Sequence, residues 1–83
     1  MILALGYNKL KLQTLSIFER RGALSPTAWA ILARFYPIRA SYSYLVRLYR
    51  FGLLHRGRDA RGHVAYRLSA RGRRRLDWLR GRS

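Results

Sequence analysis

Cysteine is absent from the 83 residues, acidic side chains number three and proline two. Without cysteine neither a disulfide framework nor a thiolate zinc site can hold the fold, so packing must do so. The three acids, Glu19, Asp59 and Asp77, are scattered along the chain. They offer no paired carboxylates and no base beside a nucleophile, which excludes the usual acid–base and covalent chemistries and predicts that the protein is not an enzyme. His55 and His63 are expected on the two strands of a hairpin, facing one another. Two imidazoles without a carboxylate or thiolate beside them make no metal site, and neither a cofactor nor a small-molecule substrate is indicated. Long apolar runs are missing too. The N-terminal MILALGY is far shorter than the ~20 residues of a membrane span. It also lacks the leading positive segment and small-residue cleavage site of a secretory signal. Residues 1–7 therefore read as an apolar extension, and a cytoplasmic location is expected.

What is abundant is positive charge. Eighteen Lys and Arg set against the three acids leave a formal net charge of +15. A field of that sign attracts polyanions and opposes compaction until a partner neutralises it. Sixteen of the cations are arginine, whose planar fork matches phosphates and guanine edges better than an ammonium does. Nucleic acid is the expected partner. A chain of this length makes one domain that hides roughly 60–65% of its unfolded surface.

The order of elements follows from periodicity and capping. From Asn8, Leu12, Leu15 and Phe18 recur at helical spacing, and Gly22 is the stop signal. Ser25 is placed as N-cap with Pro26 as first helical residue of a second helix, where a missing amide hydrogen costs nothing. Ala28, Ile31, Leu32 and Phe35 recur at three and four along it, and Pro37 biases Tyr36 out of the helical region. A third helix is predicted from about Arg39 to Phe51. Wound at about 100° per residue, it puts Ser41, Leu48 and Gly52 beside Leu45, and Arg39, Ser43, Arg47 and Arg50 on the opposite side. Tyr42, Tyr44, Tyr49 and Phe51 flank the leucine stripe and read as the rim of the core, as does Tyr66; Trp29 and Trp78 read as core or interface. Then LLHRGRDARGHVAYRLS predicts a hairpin over 53–68, its tip holding Gly57, Asp59 and Gly62 and its return strand alternating Val64, Tyr66 and Leu68 with Ala65 and Arg67. Ser69 is positioned to cap a last helix, in which Leu76 and Leu79 are the apolar pair. Arg71, Arg73, Arg74 and Arg75 on that helix read either as solvated surface or as phosphate ligands.

The predicted class is thus α+β, mostly α. It comprises a three-helix helix-turn-helix core, a two-stranded β-hairpin wing and a C-terminal helix, forming one unit over 1–83 with its core at 8–80 and a tail at 81–83. LVRLYRFGLLHR (45–56), VAYRLSARGRRRLDWL (64–79) and GALS (22–25) give the chain a form that resembles the winged helix-turn-helix DNA-binding domain of prokaryotic transcriptional regulators. The likeness runs through nearly all the chain from about Asn8, and implies that GALS adds a short strand to the wing. Two departures are visible. FYPIRAS stands where that family usually has a glycine-containing turn, and Ser41 where an aliphatic residue is common.

The resemblance implies sequence-specific binding of duplex DNA by a small transcriptional regulator. The major groove admits one helix, and a wing can reach an adjacent groove or the backbone. On the third helix the expected contacts are Arg39, Arg47 and Arg50 with Tyr42 and Ser43; on the wing they are Arg56, Arg58 and Arg61. Two other readings remain open: a structural, ribosome-associated RNA-binding protein using its basic surface without inserting the helix, and a winged-helix protein-interaction module. Apolar residues at both ends, Ile2, Leu3, Leu5 and Trp78, predict a homodimer through the N-terminal segment, the first helix and the last.

Overall fold

In the computed structural model, which describes the backbone of residues 2–82 and the side chains of residues 8–81, α1 spans Ile2–Arg21. The first helix therefore absorbs most of the segment read as an extension. α2 (Pro26–Ala33) and α3 (Arg39–Arg50) follow, then β1 (Leu54–Arg58), β2 (Val64–Leu68) and α4 (Ala70–Arg82). Gly81 and Arg82 thus belong to α4, while Ser83 lies outside the described residues. The class is α+β, mostly α, with the expected helices, hairpin and terminal helix in the expected order. No helix among the described residues is long and apolar enough to cross a membrane.

The local signals act as their chemistry requires. Ser25 caps α2, its hydroxyl accepting from the Ala28 amide at 3.1 Å, with Pro26 at the first turn. β1 and β2 pair antiparallel with Leu54 opposite Leu68 and Arg58 opposite Val64. Leu24 adds a single bridge to the hairpin, exchanging both backbone hydrogen bonds with Tyr66 at 2.8 Å. Gly57 lies within β1, opposite Ala65, rather than in the tip.

The core is formed by Leu15, Ile17 and Phe18 of α1, Leu45 and Leu48 of α3, Leu53, Leu54 and Tyr66 of the hairpin region, and Leu76 and Leu79 of α4. Its aromatic centre is Trp29, stacked on Tyr44 with ring centroids 5.6 Å apart and tilted against Phe35 at 4.9 Å. Trp29 is core, as read, and of the residues recurring at three and four Phe35 packs against it while two others do not. Pro26, Trp29 and Ala30 point inward, whereas Ile31 and Leu32 are 56% and 40% exposed. The two faces differ by two residues, about 200° around the helix. Nearly every α2 residue is apolar, so spacing alone cannot phase it; the indole wins because it removes the most area from water.

The rim of the core is also narrower than expected. Tyr44 and Tyr66 are buried, but Tyr42, Tyr49 and Phe51 stand out in solvent. The turn between α2 and α3 closes without glycine. Arg34 takes the left-handed conformation (φ 55°), and the Phe35 amide donates to the Ala30 carbonyl at 2.9 Å, satisfying a carbonyl that the helix end would leave open.

A three-residue junction locks the hairpin to its helices. The Ser69 hydroxyl donates to the Gly52 carbonyl at the end of α3 and accepts from the Gly72 amide in the first turn of α4. Gly72 must be glycine: a Cβ there would stand 2.0 Å from the Leu53 carbonyl oxygen.

Candidate nucleic-acid interface

Helix α3 buries Ser41, Tyr44, Leu45 and Leu48, and that facing dictates what remains outside. Arg39, Tyr42, Ser43, Arg47 and Arg50 are all exposed. Tyr42, Ser43, Arg47 and Arg50 share a shallow open depression with Val46 and Phe51. Phe51 was read as core rim rather than as part of this surface, and Val46 was not singled out, although it lies three residues after Ser43 on the same face. Tyr42 is steadied by a 3.3 Å hydrogen bond between its hydroxyl and that of Thr27 on α2.

The hairpin arginines do three different things. Arg56 places its guanidinium carbon 4.4 Å from the centroid of the Tyr49 ring, a cation–π contact that ties the wing to α3. Arg58 donates from Nη1 to the Gly62 carbonyl at 2.7 Å, bracing the tip. Arg61 engages the turn only through its backbone amide, which donates to Asp59 Oδ1 at 2.9 Å. Asp59 organises this turn, because the same oxygen also accepts from the His63 amide at 2.9 Å. The His63 amide chiefly, with that of Arg61, holds the Asp59 carboxyl below its ordinary pKa. Tyr49 as an arginine platform and Asp59 as a turn brace are roles missed in the sequence. The signal for Asp59 was present, since an Asp followed closely by Gly at a turn commonly bonds the amides ahead of it.

The histidines do not face one another. His55 is opposite Arg67 across the hairpin, and His63 stands in the turn with Nδ1 4.0 Å from Asp59 Oδ2. Among the described residues no three His, Cys, Asp or Glu side chains gather as they would around a metal ion.

The acids lie away from α3. Glu19 of α1 is gripped by α4: Arg80 Nη2 donates to Oε1 at 2.6 Å and Arg73 Nη1 to Oε2 at 3.0 Å. The Arg80 hydrogen bond is the main cause holding the Glu19 carboxyl below its ordinary pKa. Asp59 serves the hairpin tip, and Asp77 adds to the field that keeps Arg80 charged, behind the larger effect of Glu19. Among the described residues no ion pair involves α3.

Comparison with protein-family models, with curated proteins and with solved structures returns no match. The functional reading therefore stands on geometry and charge.

Proposed function

We propose that the chain is a small sequence-specific duplex-DNA-binding protein, acting in the cytoplasm as a transcriptional regulator of winged-helix type. The observation that carries the reading is the outer face of α3, where Arg39, Arg47 and Arg50 stand exposed with Tyr42 and Ser43 and no carboxylate competes for them. A helix of this size fits the major groove, where a bidentate arginine distinguishes guanine from other bases. The hairpin, held to α3 by Arg56 on Tyr49, presents Arg58 and Arg61 to an adjacent groove or to phosphates. The exposed Ile31 and Leu32 of α2 and Tyr36 of the turn after it support a second reading, an interaction module docking through that surface.

Competition between duplex DNA, duplex RNA and single strands at two salt concentrations tests the proposal. About six phosphate contacts give a log–log salt slope near −5 on duplex DNA. Arg47→Ala weakens a selected site by about 1–3 kcal/mol more than random duplex. Arg58→Ala and Arg61→Ala instead lower affinity evenly across sequences. A salt slope near zero, preference for duplex RNA, or equal losses for all three variants on every sequence rejects base reading by α3.

A further inference from the structure

Helix α4 has a face that neither the core nor the α3 surface uses. Leu76 and Leu79 point into the core, and Gly72 abuts Leu53. Arg73 and Arg80 are committed to Glu19. The remaining stripe, Arg71, Arg74, Arg75 and Trp78, lines an open depression made by α4 alone. Its residues recur at three, four and seven, so they lie on one side of the helix over about 10 Å. Trp78 is 47% exposed, and Arg75 sits with its guanidinium carbon 5.2 Å from the indole centroid. The Arg71 stem is anchored beside Gly52, where an added Cβ would stand 3.2 Å from its Cδ.

Large aromatic rings are normally buried for their area, so a half-exposed indole with Arg75 over one part of its ring and Arg71 and Arg74 lining the same depression is suited to a ligand with a flat π-face and negative charge beside it. A second copy of this chain is the wrong occupant, because it would bring its own +15 field against the same three arginines. An acidic peptide satisfies the charge but leaves the ring unused. Duplex DNA satisfies the charge, yet its bases are stacked on one another and offer no open face away from its ends. A single strand satisfies both demands, since unpaired bases stack on aromatic side chains while a basic groove tracks the phosphates.

We propose that the Arg71–Arg74–Arg75–Trp78 face of α4 is a single-stranded nucleic-acid site, with one base stacked on Trp78 and the flanking phosphates on the three arginines. The site shares no lining residue with the α3 depression and does not depend on the duplex-binding reading.

The protein carries its own probe. Of its two tryptophans, Trp29 is 0% exposed, so a ligand that stacks on indole quenches Trp78. Titration of the full chain with a twelve-nucleotide oligo(dT) is expected to quench tryptophan fluorescence. Trp78→Leu should abolish that quench and weaken oligo(dT) binding roughly tenfold. A relaxed, covalently closed circular duplex, which has neither ends nor unpaired loops, should bind Trp78→Leu and the parent chain within about twofold. Arg74→Ala should weaken oligo(dT) binding while keeping the quench at saturation, with thermal melts confirming that both variants fold. The proposal is overturned if oligo(dT) causes no quench, if Trp78→Leu binds it as well as the parent does, or if polyglutamate displaces it as effectively as a second nucleic-acid strand. Failure of the circular duplex to bind, with oligo(dT) binding intact, would reject the duplex reading and leave this site standing.

Discussion

At Gly72 the requirement is a bare Cα, because the first turn of α4 rests on the Leu53 carbonyl while its amide donates to Ser69. Gly72→Ala forces backbone apart and is expected to cost about 3 kcal/mol, the upper end of ordinary overpacking. Gly81, in the same helix, faces open space, so Gly81→Ala should be neutral or stabilising by a few tenths of a kcal/mol, roughly. Urea denaturation of the two variants checks the contrast; equal effects would mean that helix propensity rather than contact sets the cost. Arg34 is the reverse case, a non-glycine residue in the left-handed region at the end of α2. Arg34→Gly relieves that conformation and should raise stability by up to about 1 kcal/mol, read as a higher denaturation midpoint at unchanged slope. Both caps were legible in the sequence, Ser25 from the proline behind it and Ser69 from its place between strand and helix. Arg34 was not, because nothing about an arginine marks a left-handed turn.

Elements written in a mixed pattern were legible, and those written in one kind of residue were not. In α3, leucines alternate with arginines at helical spacing, so its two faces follow directly, and all five α3 residues expected at the interface are exposed. In α2 the pattern is almost wholly apolar, and spacing left its facing open, because only tertiary packing chooses between an indole and a branched aliphatic. The rings beside the leucine stripe of α3 were ambiguous for a related reason: an aromatic at the edge of a face packs inward only where a neighbour meets it, as Trp29 meets Tyr44. Two elements depend on carboxylates, and this makes the molecule sensitive to acid. Glu19 joins α1 to α4 through Arg80 and Arg73, and Asp59 closes the hairpin turn; both titrate below their ordinary values. A depressed folded pKa gives stability that is present above the ordinary carboxylate value and lost as pH falls through the lower folded one. Stability is therefore expected to decline only on the acid side of the ordinary carboxylate range. Glu19→Gln should be less stable than the parent at neutral pH and show a flatter acid limb, whereas Asp59→Asn should chiefly loosen the tip, seen as faster amide exchange at Arg61 and His63. An unchanged acid limb in Glu19→Gln would show that the α1–α4 clamp does not hold the fold.

Across the described residues, Glu19 and Asp59 are engaged in structural contacts and no ion pair reaches α3, so with a net charge of +15 a large positive field faces any partner. That field limits self-association to apolar regions. Trp78, first read as part of a dimer interface, stands among Arg71, Arg74 and Arg75, where a like-charged copy is repelled; it no longer supports pairing. The Ile2, Leu3 and Leu5 side chains lie outside the described residues, but their backbone belongs to α1, which runs without a break from Ile2 to Arg21. The first described α1 side chain packed on the core is Leu10. α1 is about 30 Å long by its rise per residue, and its first turns carry the apolar Ile2, Leu3 and Leu5. We therefore expect a homodimer joined through the N-terminal turns of α1. A two-fold axis there would present two α3 helices to half-sites about one duplex turn apart, ~34 Å, and the target would be an inverted repeat. Light scattering at micromolar concentration compares the full chain with one starting at Tyr7. The full chain should have twice the monomer mass and the shortened one the monomer mass, while Trp78→Leu should remain dimeric. A monomeric full chain, or a dimer that survives the truncation, would refute pairing through α1, and a dimer lost in Trp78→Leu would return the interface to α4.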